Sequence, residues 1–324
     1  MASDKIFSPV KQELKIFRQK FREQLNSRLS LVDKVARYLV HSRGKNLRPA
    51  LVLLSAKTCS GKLPENTYRA AITIELIHTA TLVHDDVVDG ADMRRSLPSV
   101  NAVWNNKIAV LMGDYLLANA LISISDIQNF EAMKLLSKVA RRASEGELLQ
   151  IDKSRKLDID EATYIKMISD KTGALMAAAC ELGALTTTGD SGDAESMRAY
   201  GEHAGIAFQI KDDLFDFEGD QKIIGKNKGR DLREKHITLP LIFALTRASR
   251  SQAKTILAQI RRGVTASEIR SIIAFTREYG GLEYAKTRLE EHSLQAVRML
   301  DRFRDSAAKQ SLIDFVYFNI NRNK

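Results

Sequence analysis

The sequence predicts an all-α fold, and three observations carry that prediction. Proline is rare: the five prolines, Pro9, Pro49, Pro64, Pro98 and Pro240, leave Ser99 to Leu239 without a helix breaker. Aromatic residues make up only 6% of the 324 residues, few for a chain built of strands. Apolar residues recur at spacings of three and four, as one buried helix face requires. The 44% hydrophobic and 28% charged content is that of a globular chain with material for a large core. It excludes disordered, collagen-like and disulfide-scaffold classes. The length permits one large domain or two ordinary ones. With no Pro-, Gly- or Ser-rich linker and no fixed-period repeat, one α-helical domain over 1–324 is expected.

Val10, Leu14, Phe17, Phe21 and Leu25 mark a first amphipathic helix. Gly44 and Pro49 punctuate the next segment, and Leu51 to Lys57 resumes an apolar helix. The run Glu65 to Asp89 reads as one helix ending near Gly90. Ser99 to Asp126 follows, around the small pair Gly113-Asp114, and then Phe130 to Gln150, patterned by Met133, Leu136, Val139 and Ala140. Asp160 to Thr187 and Ala194 to Phe217 continue the helical pattern. In Lys222 to Thr238 glycine and charge dominate, and a loop is expected. Helices resume at Leu239, with a break at Gly280-Gly281.

The net charge of +10 and the pI of about 9.5 suit an anionic partner: nucleic acid, acidic lipid or a phosphorylated small molecule. The basic residues recur along the chain, in clusters such as Arg141-Arg142 and Lys226 to Arg230, and mostly read as solvated helix faces. Cys59 and Cys180 lie far apart and form no Cys-x-x-Cys pair, so two reduced thiols are expected, with no zinc site or redox motif. The segment Met1 to Phe7 lacks the basic-then-apolar pattern of a signal peptide. No stretch approaches about 18 uninterrupted apolar residues, so no membrane span is expected and a cytoplasmic location is.

Chemistry concentrates in His84-Asp85-Asp86-Val87-Val88-Asp89, at the end of the apolar run Ile72 to Val83. At about 100° per residue, Asp85 and Asp89 share one helix face, separated by about 6 Å of rise. Like charges at that spacing destabilise a helix unless something compensates. A hard cation such as magnesium does so, because it takes carboxylate oxygens and keeps sites for water or phosphate. The pattern returns in Lys211-Asp212-Asp213-Leu214-Phe215-Asp216, again after an apolar run, Ile206 to Ile210. Two costly acidic triplets at the ends of apolar helices point to several divalent ions and a diphosphate bound through them. A nucleic-acid-binding reading leaves these acids unexplained.

With these motifs the chain resembles the trans-isoprenyl diphosphate synthases, also called polyprenyl synthetases, over roughly Val35 to Leu241. The ordered set is Gly44-Lys45-Asn46-Leu47-Arg48-Pro49, Glu75 to His78, Asp85-Asp86-Val-Val-Asp89 with Arg94-Arg95, Lys171-Thr172-Gly173, Phe208-Gln209 through Asp216, Gly225-Lys226, and Thr238-Leu239-Pro240. The resemblance implies a large orthogonal helix bundle around a central apolar cavity, the isoprenoid synthase fold. It implies magnesium-dependent, head-to-tail condensation of isopentenyl diphosphate onto an allylic diphosphate, in a homodimer. Asp85 and Asp89 are then ligands of two magnesium ions and Asp212 of a third, with Asp86, Asp213 and Asp216 beside them. Lys45, Arg48, His78 and Arg95 hold isopentenyl diphosphate. Arg94, Lys171 and Lys226 hold the allylic diphosphate, with Thr172 and Gln209 near the forming cation. His84 points about 100° from Asp85 and is read as structural.

Gly225 to Gly229 is no nucleotide loop, since Asp220 stands where the first glycine belongs and Asn227 where Ser or Thr must follow lysine. One departure from the family stands before Thr238: Lys235-His236-Ile237 replaces Gly-Lys-x. Either His236, at the lysine position, or the shifted Lys235 is then expected to meet substrate. In the implied architecture product length depends on residues below the first acidic motif. Ala80 and Thr81 are small where short-chain members carry an aromatic, and the floor is expected deeper, among Ile77, Leu121, Leu135 or Leu136. With Ala80 and Thr81 both small at about 7.5 and 6 Å of rise below Asp85, the product is expected to exceed twenty carbons and to reach about seven to ten isoprene units (about C35–C50). A short-chain farnesyl or geranylgeranyl synthase and a non-catalytic subunit of a heteromeric synthase are the alternatives; the latter sits poorly with two intact triplets.

Overall fold

A computed structural model describes residues 6–41, 46–94, 97–188, 190–218 and 229–322. After a 3-10 turn (Ser8–Val10) come α1 (Lys11–Gln24), α2 (Ser30–His41), α3 (Leu47–Ser60) and α4 (Glu65–Val88). Then follow α5 (Val100–Val103), α6 (Asn106–Ser125), α7 (Phe130–Lys156) and α8 (Glu161–Ile168). One π-helical turn, Ser169–Gly173, joins α8 to α9 (Ala174–Leu185). The remainder is α10 (Ser191–Phe217), α11 (Arg230–Arg233), α12 (Leu239–Arg247), α13 (Arg250–Arg262), α14 (Ala266–Glu278), α15 (Gly281–Arg298) and α16 (Ala307–Asn321). The fold is all-α, as the composition predicts. Its β structure among the described residues is a two-residue antiparallel ladder in which Arg94 pairs with Leu97.

Most differences from the sequence reading lie at breaks written by single residues. The helix expected over Ser99 to Asp126 stops at Trp104 and restarts after Asn105, whose backbone is at φ 140° and whose side chain accepts from the Ile108 amide at 3.0 Å. Ser249 and Thr265 cap α13 and α14 with capping boxes completed by Gln252 and Glu268. Much of the expected loop Lys222 to Thr238 lies outside the described residues; within it, Arg230–Arg233 is helical. The Gly280-Gly281 break is present, with Gly280 at φ 72°.

Contacts divide the chain into two compact units. The first holds Met1–Ala140, Leu175–Arg198 and Leu300–Asp314; the second holds Arg141–Ala174, Ala199–Met299 and Phe315–Lys324. In the first unit the five apolar positions of the opening segment are all buried, Val10 and Phe17 completely. Leu51 through Leu54 are fully buried in succession, so α3 is apolar all round because it is enclosed all round. Helix α4 packs along α6. Helix α6 is long and apolar enough by composition to cross a membrane, yet it buries Ala109, Met112, Gly113, Leu116, Ala120 and Ile124 in this packing. Cys59 and Cys180 are free thiols, and burial pushes both up to about 12. The second unit is built around Tyr164, Ile210, Leu214, Leu239, Ile260 and Ile272, each fully buried.

Candidate active site

The last turns of α4 carry the first acidic motif. Asp86 turns inward, 3% exposed, and accepts from Arg94 Nε at 2.7 Å. Asp85 is half-buried and Asp89 exposed, on the outer side of the same helix end. The Asp89 amide donates to the Asp85 carbonyl at 2.8 Å, so the helix is intact to that point. A helix C-terminus presents carbonyl oxygens and partial negative charge. Two further carboxylates there deepen the negative potential that a cation would offset, and hard oxygen donors suit a magnesium-type ion.

His78 lies two turns before Asp85, on the same face. Arg48 Nη1 is 2.9 Å from His78 Nε2, and because a guanidinium only donates, His78 accepts there. Ala80 is fully buried, while Thr81 is half-buried and donates to the His78 carbonyl at 3.0 Å. His84 packs on α6, with Nε2 3.2 Å from the Val110 carbonyl and 3.4 Å from Asp114 Oδ1. A Cβ on Gly113 would meet the His84 ring at 2.2 Å, so this approach requires glycine. Of the residues expected beneath the motif, Ile77 and Leu136 are buried and Leu135 is half-buried. Leu121 is a correction: it is 62% exposed, because α6 turns it away from the side that buries Ala120 and Ile124.

The second acidic motif ends α10 and divides in the same way. Asp213 turns inward, 7% exposed, and accepts from Tyr164 Oη at 2.6 Å and from Gln209 Nε2 at 2.8 Å. Burial pushes its carboxyl above the usual range against these two hydrogen bonds, and Asp212 and Asp216 add to the rise. Asp212 is ion-paired with Arg322, whose guanidinium lies 4.2 Å from the Phe208 ring centre. Nothing in the sequence pattern singles out Arg322. Asp216 accepts from the backbone amides of Arg230 and Asp231, at 3.2 and 3.0 Å, and so caps α11. A cation bound at Asp212 shares that carboxylate with Arg322 or displaces it.

Lys171 and Thr172 sit in the π turn of the same unit. Lys171 Nζ is 2.5 Å from Glu147 Oε2 and donates to Gln150 Oε1 at 3.2 Å. Thr172 Oγ1 donates to Gln209 Oε1 at 2.9 Å, which links it through Gln209 to Asp213. Gln150 also reaches His236, 3.2 Å from its Nε2. His236 therefore joins the partners of Lys171, through a glutamine the motif reading does not flag. Asp231 and Glu234 bring ligand-type oxygens within 4.8 Å of His236 and of one another, although Arg230 Nε holds Glu234 at 2.7 Å. Lys235 is engaged elsewhere: it donates to the Arg261 carbonyl at 3.0 Å, and its φ of 62° is one that the family's glycine adopts without strain. Lys45, Arg95 and Lys226 lie outside the described residues.

Each unit thus presents a pair of carboxylates one helical turn apart, an inward carboxylate that anchors the helix end, and cationic side chains nearby. Such groups suit the binding of a diphosphate with divalent metal. Residues 29–275 match the family model described as polyprenyl synthetase. The chain is 36% identical to an all-trans-nonaprenyl-diphosphate synthase (geranyl-diphosphate specific) of Rhodobacter capsulatus, across 98% of this chain and 97% of that one. Among solved structures it is similar to a decaprenyl diphosphate synthase from Rhodobacter capsulatus, with a TM-score of 0.93 and 32% identity over 99% of both chains. It is also similar to a polyprenyl synthase from Caulobacter crescentus complexed with calcium and isoprenyl diphosphate, with a TM-score of 0.90 and 30% identity over 99% of this chain and 98% of that one. Sequence and fold agree along nearly the whole length, and the chain belongs to the polyprenyl synthetase family of prenyltransferases.

Proposed function

We propose that the protein condenses isopentenyl diphosphate head-to-tail onto an allylic diphosphate and repeats the step to make a long all-trans polyprenyl diphosphate. The observation that carries the reading is the pair of acidic helix ends, each with its middle carboxylate turned inward. Asp85, Asp89 and Asp212 are the residues that would hold magnesium ions. Bound magnesium supplies positive charge to the departing diphosphate. Lys171, Arg94 and Lys226 bind the allylic diphosphate and take up charge as the carbon–oxygen bond breaks. Arg48 and His78, with Lys45 and Arg95, bind isopentenyl diphosphate. Thr172 and Gln209 orient their oxygens beside the allylic cation. The isopentenyl double bond attacks that cation, and a proton is then lost to the departing diphosphate. Apolar walls exclude the water that would quench the cation.

The small side chains of Ala80 and Thr81 support a product of more than twenty carbons, and the long-chain relatives point the same way. A homodimer is part of this reading. Val110, Leu111, Leu121 and Ile122, exposed by 40, 58, 62 and 55%, leave an apolar outer face on α6 that a second copy of the chain would cover. The test is diphosphate release from isopentenyl and allylic diphosphates with and without magnesium, followed by chromatographic sizing of the product. Product without added divalent cation, or no product with it, overturns the proposal.

A further inference from the structure

The π turn Ser169–Gly173 carries Lys171 and Thr172, and its side-chain partners all lie in the second unit. A π turn inserts an extra residue into a helix and is held only where its surroundings favour it. Here the surroundings include Arg142 of α7. Arg142 Nε donates to Asp170 Oδ1 at 2.7 Å; its Nη2 donates to Ser169 Oγ at 2.9 Å and to Glu202 Oε1 at 2.7 Å. Ser169 Oγ in turn donates to Glu202 Oε1 at 2.6 Å. One guanidinium thereby ties the first two residues of the π turn to α10. The Asp170 and Ser169 sides of this network are buried, at 5% and 8% exposure. Burial would raise the Asp170 carboxyl, but hydrogen bonds from Lys166 and Arg142 hold it below its usual value.

The same face of α7 continues the contact. Gly146 follows Arg142 by one turn, and a Cβ there would lie 3.0 Å from the Lys171 amide nitrogen and 3.1 Å from Asp170 Cβ. The helix backbone therefore lies directly against the π turn at Lys171. Glu147 and Gln150 follow along α7, and both reach Lys171 Nζ. On the far side of the turn, Thr172 bonds Gln209. A shift of the π turn by a fraction of a residue would move both Lys171 and Thr172.

We propose that Arg142 is a positioning residue: with Ser169, Asp170 and Glu202 it locks the π turn so that Lys171 and Thr172 meet the allylic diphosphate, without itself touching substrate. The inference rests on the roles proposed above for Lys171 and Thr172. The test compares Arg142→Gln, Arg142→Lys, Ser169→Ala and Lys171→Ala, measuring helical content and separate KM values for the allylic and isopentenyl diphosphates. Arg142→Gln should raise the allylic KM by about tenfold or more, as small misplacements of binding groups do, with the isopentenyl KM within about twofold of the parent. Arg142→Lys should recover part of the loss, and Ser169→Ala should shift the allylic KM in the same direction by less. A merely structural arginine would lower the melting temperature without this split between substrates. A folded Arg142→Gln protein with the parent's allylic KM overturns the inference. Should that variant fail to fold, an unchanged allylic KM in Ser169→Ala overturns it equally. Lys171→Ala separates the two levels: if it leaves the allylic KM unchanged, the role of Lys171 fails; if it raises that KM and Arg142→Gln does not, only the lock fails.

Discussion

Replacing Asp85 and Asp86 by Ala, one at a time, should have opposite consequences although the residues are neighbours. The Asp86 side chain is 4% exposed and pairs with Arg94, whose side chain is 35% exposed. Breaking a fully buried ion pair by removing one partner costs about 3–5 kcal/mol. Water reaches a third of Arg94, so the loss here should be about 1–3 kcal/mol. For 324 residues that corresponds to a fall in melting temperature of roughly 1.5–4.5 °C. Asp85 is half-buried, carries a like charge one turn away in Asp89, and sits at the negative end of α4. Its removal should leave helical content nearly intact, because losing one of two like charges a turn apart does not unfold a helix. Its effect should fall on turnover, by about a hundredfold or more if the carboxylate acts through bound metal on the leaving group. Calorimetry and a diphosphate-release assay on the two variants decide the matter. Parent-like melting in Asp86→Ala, or parent-like turnover in Asp85→Ala, would refute the division of labour within the motif.

Three further outcomes are expected. Ala80→Phe fills a fully buried position about 7.5 Å of rise below Asp85 and should shorten the product while the enzyme stays active; product length unchanged by chromatography would show that the chain does not grow past this point. His236→Lys places a permanent charge beside Gln150 and should preserve or raise activity above about pH 7, where an ordinary imidazole is neutral; identical pH–rate profiles for the two proteins would remove His236 from substrate binding. Glu181 is raised to about 7 by burial, against Arg198 and Lys138, and its Oε2 finds no hydrogen-bond partner among the described residues. Its folded-state value lies above the unfolded one, so the native state keeps a proton that the unfolded chain has lost. The stability this contributes is present below about pH 4.5 and is lost as pH rises through about 7. Glu181→Gln should therefore raise the melting temperature at about pH 8 and change it little at about pH 5, and a uniform shift across pH would contradict that.

Helix content, the burial of the first amphipathic face and the two acidic motifs were all legible in the sequence, because each depends on spacing within one helix. Period and rise alone put Asp85 beside Asp89, and the small side chains of Ala80 and Thr81 can be read without coordinates. Residues joined across elements were not legible. Arg322 opposite Asp212, Gln150 between Lys171 and His236, and Arg142 on the π turn meet residues distant in the chain, with no periodicity to announce them. The outward turn of Leu121 was misjudged because apolar character does not say which side of α6 faces the core. The sequence by itself determined the helical class, the family and the place of the two acidic motifs at helix ends, all of which follow from local pattern. Only the tertiary structure decided which aspartate of each triplet turns inward and which groups hold it there, Arg94 for Asp86 and Tyr164 with Gln209 for Asp213, because burial and pairing depend on the neighbours that packing brings to each side chain.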